Sequence, residues 1–251
     1  MDLGLADKVC VVTGSTAGIG AEAARLLAGE GARVVTCGRR ADGPGVGEAL
    51  HVVADLSEPG GPESVVEAAL AGFERVDCLV NNVGFAEIRR FEEVTDEQWD
   101  AMWHLNVLSY IRAIRAVLPS MRERGGGAIV NVSSTAGKRP SGGMPDYSVT
   151  KAAVLSVSRL VADLYAKDGI RSNAVTPGPT ATGAWLDEGG LADQQGEREA
   201  VLEKVGSGRP LGRLAEPDEI AAVIAFLCSE RASYVTGAAW SADGGTVPII
   251  V

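Results

Sequence analysis

The stretch VCVVTGSTAGIG, residues 9–20, decides how this chain folds. Its first half is a short Val-rich run, and its second is a glycine-dotted turn, Thr13 to Gly20. Behind the turn, Ile19, Ala23, Leu26 and Leu27 fall at i, i+4, i+7 and i+8, which is one face of a helix. Strand, tight turn and helix therefore follow one another without a gap. Gly14, Gly18 and Gly20 let the backbone turn sharply, and they let an anionic group approach the free N–H groups at the positive end of the helix. The spacing is G-x-x-x-G-x-G, and glycine alone is a weak signal that an ordinary βα turn also gives. With a strand before it and a helix after it, the turn points to a nucleotide pyrophosphate.

Further runs of the same character are ARVVTC (32–37), LHVVA (50–54), DCLVNN (77–82), AIVNVS (128–133) and IRSNAV (170–175). Near-continuous apolar runs, in place of strict alternation, predict strands buried on both faces of a parallel sheet. Helical patterns lie between them. Trp99, Trp103, Asn106, Val107, Ile111 and Ile114 make one that ends before Arg122, Tyr147 to Ala166 another, and Glu219 to Leu227 a shorter one. Strands alternating with helices predict an open, doubly wound α/β sheet. With no internal repeat and no long linker, residues 1–251 read as a single domain. Residues 41–49 (ADGPGVGEA) are too short and glycine-rich for a crossover helix, and 178–210 read as an irregular functional loop or lid.

Composition narrows the function. The 251 residues are 46% hydrophobic and 22% charged, enough apolar chain for a core that needs no disulfide or metal. Acidic side chains outnumber basic ones 33 to 23, a net charge of -10, and Lys and Arg cluster no further than the pairs Arg39-Arg40 and Arg89-Arg90. Nucleic acid and anionic membrane are poor partners for such a chain. Cys10, Cys37, Cys78 and Cys228 sit mostly in apolar runs and read as small buried hydrophobes, while His51 and His104 lack ligand-spaced neighbours, so no metal site is expected. No run reaches the length of a membrane span and MDLGLADKVCVV is not a secretory signal, so the expected location is the cytoplasm.

Chemistry enters through Tyr147 and Lys151, four residues apart and so on one helix face. A tyrosine titrates near pH 10, and a neighbouring ammonium favours its phenolate, moving it toward use as an acid/base. Ser134, at a strand end, can donate to a substrate oxygen on which charge develops. A Tyr and Lys at this spacing also occur by chance on solvated helices. The order of motifs is more specific: TGSTAGIG, Asp55, NNVG (81–84), Asn106, Ser134, Tyr147-x-x-x-Lys151, Pro177-Gly178 and GAAWSADGG (237–245). In this the chain resembles, end to end, the single-domain short-chain dehydrogenase/reductases.

The resemblance implies a Rossmann-like, three-layer αβα fold with about seven parallel strands, and hydride transfer between a nicotinamide cofactor and a ketone or secondary alcohol. It makes Tyr147 the general acid/base, with Lys151 lowering its pKa and holding the nicotinamide ribose. Ser134 orients the carbonyl; Ser133 competes, but the family's thirteen-residue separation from the tyrosine selects Ser134. Asn106 would bind a water linked to Lys151. Cofactor contacts are implied for Gly14, Ser15, Thr16, Gly18, Ile19, Gly20, Arg39, Asp55, Leu56, Asn82, Gly84, Tyr147, Lys151, Pro177, Gly178, Thr180 and Thr182. Val83 departs from the family's usual Ala.

Three further expectations follow. Relatives that prefer NAD carry an acid at the end of the second strand; here Gly38 stands there and Arg39 follows, so NADP(H) is expected over NAD(H), although Ala17 replaces the basic residue many NADP relatives carry. The substrate is expected to be a small free carbonyl compound or alcohol, lying against 140–146 and the loop of about 179–210 with Trp185, Leu186 and Leu191 beside Asp187 and Glu188. A 3-oxoacyl-carrier-protein reductase, or a regulator that binds nucleotide without turnover, is the alternative. Helices near 97–122 and 147–166 resemble those through which relatives form homotetramers, or homodimers, and the apolar C-terminal TVPIIV reads as docked at an interface.

Overall fold

A computed structural model describes residues 2–248. The chain runs β1 (Val9–Val12), α1 (Gly18–Gly29), β2 (Arg33–Gly38), β3 (Leu50–Val53), α2 (Gly61–Phe73), β4 (Cys78–Asn81), α3 (Asp96–Trp103), α4 (Ser109–Glu123), β5 (Gly127–Val132), α5 (Thr135–Lys138), α6 (Pro145–Tyr165), β6 (Ile170–Pro177), α7 (Gly183–Leu186), α8 (Arg198–Ser207), α9 (Pro217–Cys228) and β7 (Ala239–Ala242). The strands form one Rossmann-like parallel sheet in the order β3-β2-β1-β4-β5-β6-β7. The sheet reverses its winding between β1 and β4, where open α/β sheets place their ligands.

Alternation within the apolar strands feeds two cores. Cys10 and Val12 of β1 face one side with Ala23, Ala24 and Leu27 of α1 and Ile220, Ile224 and Leu227 of α9. Val11 faces the other with Val65 and Val66 of α2, Ile114 and Val117 of α4 and Val161 of α6. All four cysteines are free and buried, and Cys10 and Cys78 are register partners on neighbouring strands. No described helix is long and apolar enough to cross a membrane.

Three segments differ from, or refine, the sequence reading. The link from β2 to β3 has no helix; His51 closes it, with one ring nitrogen 2.9 Å from the Thr36 hydroxyl and the other 2.9 Å from the Arg40 carbonyl oxygen. The helix expected to end before Arg122 reaches Glu123 and is interrupted by a π-turn, His104–Leu108, that contains Asn106. The 178–210 stretch is not wholly irregular: it carries α7 and the ten-residue α8, whose N-terminus is capped by the Glu197 carboxylate accepting from the Glu199 and Ala200 amides. Helix α2 was not anticipated, although Val65, Val66, Ala69 and Leu70 fall at helical spacing and pack against the core.

Leu27 is fully buried between α1 and α9. Leu27→Ala is expected to destabilise the protein by about 2–5 kcal/mol, because the cavity it leaves cannot collapse between two helices and a sheet. Chemical denaturation checks it; a midpoint unchanged from the parent would mean that this core is not close-packed.

Candidate active site

A cavity of about 1110 Å³ opens along the C-terminal ends of the strands, with the loop after β1 at one end and the 178–210 segment at the other. Its nucleotide end is built from backbone. Gly14 and Gly18 take φ of +60° and +55°, and α1 starts at Ala17 with no side-chain cap, so its first N–H groups are not capped by the protein. Asn82 holds this loop, its Nδ2 donating to the Thr13 and Gly14 carbonyls at 3.1 and 3.0 Å. These features fit a pyrophosphate. Farther along, the Asp55 carboxylate accepts from the Ser57 hydroxyl and amide, which hold it below the usual carboxylate range.

At the other end stand Ser134, Tyr147 and Lys151, all in the cavity wall. Ser134 caps α5, its Oγ accepting from the Ala136 amide at 3.1 Å. Ser133, the competitor, is turned away: its hydroxyl donates to the Lys151 carbonyl at 2.7 Å. Lys151 is buried, and Nζ donates to the Val132 carbonyl at 2.9 Å and lies 5.7 Å from the Tyr147 ring centroid. Burial pulls its pKa down to about 7.

In the protein alone burial also raises the pKa of Tyr147, and the opposing influence is a hydrogen bond with Ser134.

The structure brings most of the expected cofactor residues to one wall: Gly14, Thr16, Gly18, Ile19, Arg39, Asp55, Leu56, Asn82, Gly84, Tyr147, Lys151, Pro177, Gly178, Thr180 and Thr182. Three positions are not in it. The Ser15 hydroxyl is buried, donating to the Val12 carbonyl at 2.8 Å and accepting from the Cys37 amide at 2.9 Å, so it ties β1 to β2. Gly20 faces the loop, where a Cβ would stand 2.3 Å from the Gly14 carbonyl oxygen. Asn106 is buried behind the cavity; its side chain accepts from the Phe85 amide and donates to the Phe85 carbonyl and the Thr150 hydroxyl. Gly84 lies between Asn106 and Lys151, where a Cβ would be 3.4 and 3.3 Å from their polar ends.

The substrate wall also differs in part. Trp185, Asp187 and Leu191 line the cavity, but Leu186 and Glu188 do not. Thr246 and Val247, expected at an interface, line it too, and residues 249–251 lie outside the described residues. Sequence reasoning missed Phe85, Ile88, Arg139 and Arg209, which enter the wall from loops with no periodic signal.

It also missed a buried ion pair. Asp146 has no exposure, and its carboxylate accepts from Arg89 Nη1 at 2.7 Å and from the Tyr147 amide at 2.8 Å. Arg89 also donates its amide to the Gly143 carbonyl at 2.9 Å, so the loop after β4 is clamped to the turn that carries the tyrosine. Arg89→Met strands this buried carboxylate and is expected to cost about 3 kcal/mol. Thermal melting tests this, with Arg89→Met/Asp146→Asn expected to recover part of the loss; equal midpoints for Arg89→Met and the parent would contradict it.

Residues 14–247 match a family model described as enoyl-(acyl carrier protein) reductase. L-sorbose reductase from Gluconobacter frateurii, solved with NADPH and L-sorbose, superposes with a TM-score of 0.93 over 100% of both chains at 37% identity. Human dehydrogenase/reductase SDR family member 4 is 36% identical over 96% of this chain and 88% of its own. D-beta-hydroxybutyrate dehydrogenase of Cupriavidus necator is 34% identical over 96% of this chain and 98% of its own. With a seven-stranded Rossmann-like sheet and the Ser134, Tyr147 and Lys151 cluster on a nucleotide-sized cavity, this chain belongs to the short-chain dehydrogenase/reductase family, NAD(P)-dependent oxidoreductases acting on alcohols and ketones.

Proposed function

We propose that the protein is a single-domain, NADP(H)-preferring reductase of a small free ketone, or the dehydrogenase of the corresponding secondary alcohol. The observation that carries this reading is the convergence of Ser134, Tyr147 and Lys151 on one cavity with the glycine loop. When bound, a nicotinamide supplies or takes up the hydride. In the reductive direction Tyr147 Oη gives its proton to the carbonyl oxygen, and in the oxidative direction it takes the proton of the alcohol. Ser134 Oγ donates to that oxygen while charge develops on it. Lys151 favours the tyrosinate and holds the cofactor ribose, and Asn106 links to it through a water. Residues 179–210 close over the substrate.

The preference for NADP(H) rests on Gly38 and Arg39. A Cβ on Gly38 would stand 2.4 Å from the Thr16 methyl, so an acid that repels a 2′-phosphate has no room there. Arg39 lies in the cavity wall with no ion pair among the described residues, available to a phosphate. The L-sorbose reductase solved with NADPH supports the same choice. Docking of an acyl carrier is the weaker reading. Of the basic residues near β5 and β6, Arg122 is already paired with Asp168 at 3.0 Å, and the net charge of -10 opposes an acidic partner. Exposed Leu160 and Leu164 on α6 leave an apolar stripe suited to a second copy, and a homotetramer is the assembly proposed.

Two measurements test the reading. Calorimetric titration should show NADPH binding at least about tenfold, or 1.4 kcal/mol, tighter than NADH; a preference for NADH would discard the role of Gly38 and Arg39. Tyr147→Phe should bind NADPH within about twofold of the parent yet lose turnover by roughly two orders of magnitude or more on a ketone substrate. Full activity in that variant would remove Tyr147 from the mechanism.

A further inference from the structure

Lys151 is 3% exposed and has no carboxylate partner among the described residues. A buried ammonium without a counter-ion is costly, so what holds it matters. Besides the Val132 carbonyl, its polar neighbour is Tyr110 of α4, whose hydroxyl oxygen lies 3.4 Å from Nζ and whose ring centroid lies 5.3 Å from it. Tyr110 is itself 1% exposed, and its hydroxyl proton is shared between the Val83 carbonyl at 2.9 Å and the Val132 carbonyl at 3.1 Å. A phenol that only filled the core would be satisfied by either carbonyl. Here the hydroxyl oxygen also addresses the buried cation.

We propose that Tyr110 is a positioning residue of the active site, its hydroxyl holding the Lys151 ammonium against Tyr147 in place of a carboxylate. The inference rests on the reading that Lys151 serves Tyr147. A carboxylate in this position would hold the lysine more strongly, but its charge would oppose formation of the tyrosinate. A neutral phenol stabilises the cation by accepting its hydrogen bond without that penalty. Burial, reinforced by the charge of Tyr147, raises the pKa of Tyr110 well above its ordinary value, so it stays neutral. Among the described residues no other titratable side chain faces the ammonium. Its own helix supplies Tyr147 and α4 supplies Tyr110. The end of β5 supplies the Val132 carbonyl, the π-turn the neutral amide of Asn106, and the loop after β4 only Gly84.

Tyr110→Phe is the direct test, since it keeps the ring and deletes one oxygen. Without that acceptor the charged form of Lys151 is less favoured, so its titration, followed by NMR of the labelled lysine side chain in the protein alone, should move to lower pH by about half a unit or more. In the oxidative direction less ammonium faces Tyr147, so the acidic limb of the kcat profile should move to higher pH. At pH 7 kcat should fall about fivefold or more, with the substrate KM within about twofold and the thermal midpoint lowered by only a few degrees. Tyr110→Leu, which removes the ring as well, should lower kcat further. A Lys151 titration identical to the parent's, or kcat within about twofold of it, overturns the proposal. The titration needs no turnover, so it decides the role of Tyr110 even if a fully active Tyr147→Phe has overturned the mechanism.

Discussion

A Cβ on Gly20 would stand 2.3 Å from the Gly14 carbonyl oxygen and 2.4 Å from the Asn82 amide nitrogen. That close approach of the loop after β1 to the end of β4 is the constraint on which the site depends. It places the uncapped start of α1 at the edge of the cavity, and it does so at the point where the sheet reverses its winding. Gly14 is under the same restriction from the other side, since a Cβ there would meet Val83 Cα at 2.7 Å. A side chain at either position would push β1 and β4 apart and close the space that a pyrophosphate needs.

At the opposite end the constraint is electrostatic. The site buries an ammonium and a phenol together, and desolvation works against the charged form of each. In the protein alone this puts the Lys151 titration at about 7 and favours the protonated tyrosine. The balance therefore turns on small changes in what touches Lys151 and Tyr147: the Ser134 hydroxyl, the Val132 carbonyl and the Tyr110 phenol. None of these carries a charge, so each can bias the pair without fixing it in one state.

The scaffold supports that chemistry from behind. Asn106 braces the main chain of Phe85, and Arg89 locks the same loop to Asp146, next to the tyrosine. The loop thus presents Phe85 and Ile88 to the substrate from a segment held at both ends. Across the cavity, the Gln194 side chain accepts from the Ile88 amide at 2.8 Å, joining the 178–210 segment to the same wall. This wall of the cavity is built from two loops rather than on the sheet, which suits a scaffold that serves many chemistries.

Six strands of the parallel sheet were legible in the sequence because each lies in a short, mostly Val-rich or Ile-rich run, and period and length are local properties; β7, which reads AWSA, carries no such signal. The glycine loop and the Tyr147-x-x-x-Lys151 pair were legible for the same reason, since their geometry depends on spacing within one turn or one helix. Helix α8 escaped because four of its ten residues are charged and its apolar ones show little helical periodicity. Tyr110, Arg89 with Asp146, and the orientation of Ser15 and Asn106 escaped for another reason. Each depends on which side chain meets which across 21 to 57 residues of chain, and only packing decides that. The sequence alone determined the sheet, the nucleotide loop and the reacting pair, because short-range spacing dictates them. Tertiary structure decided how those groups are charged and held, because desolvation and long-range contacts exist only once the core has closed.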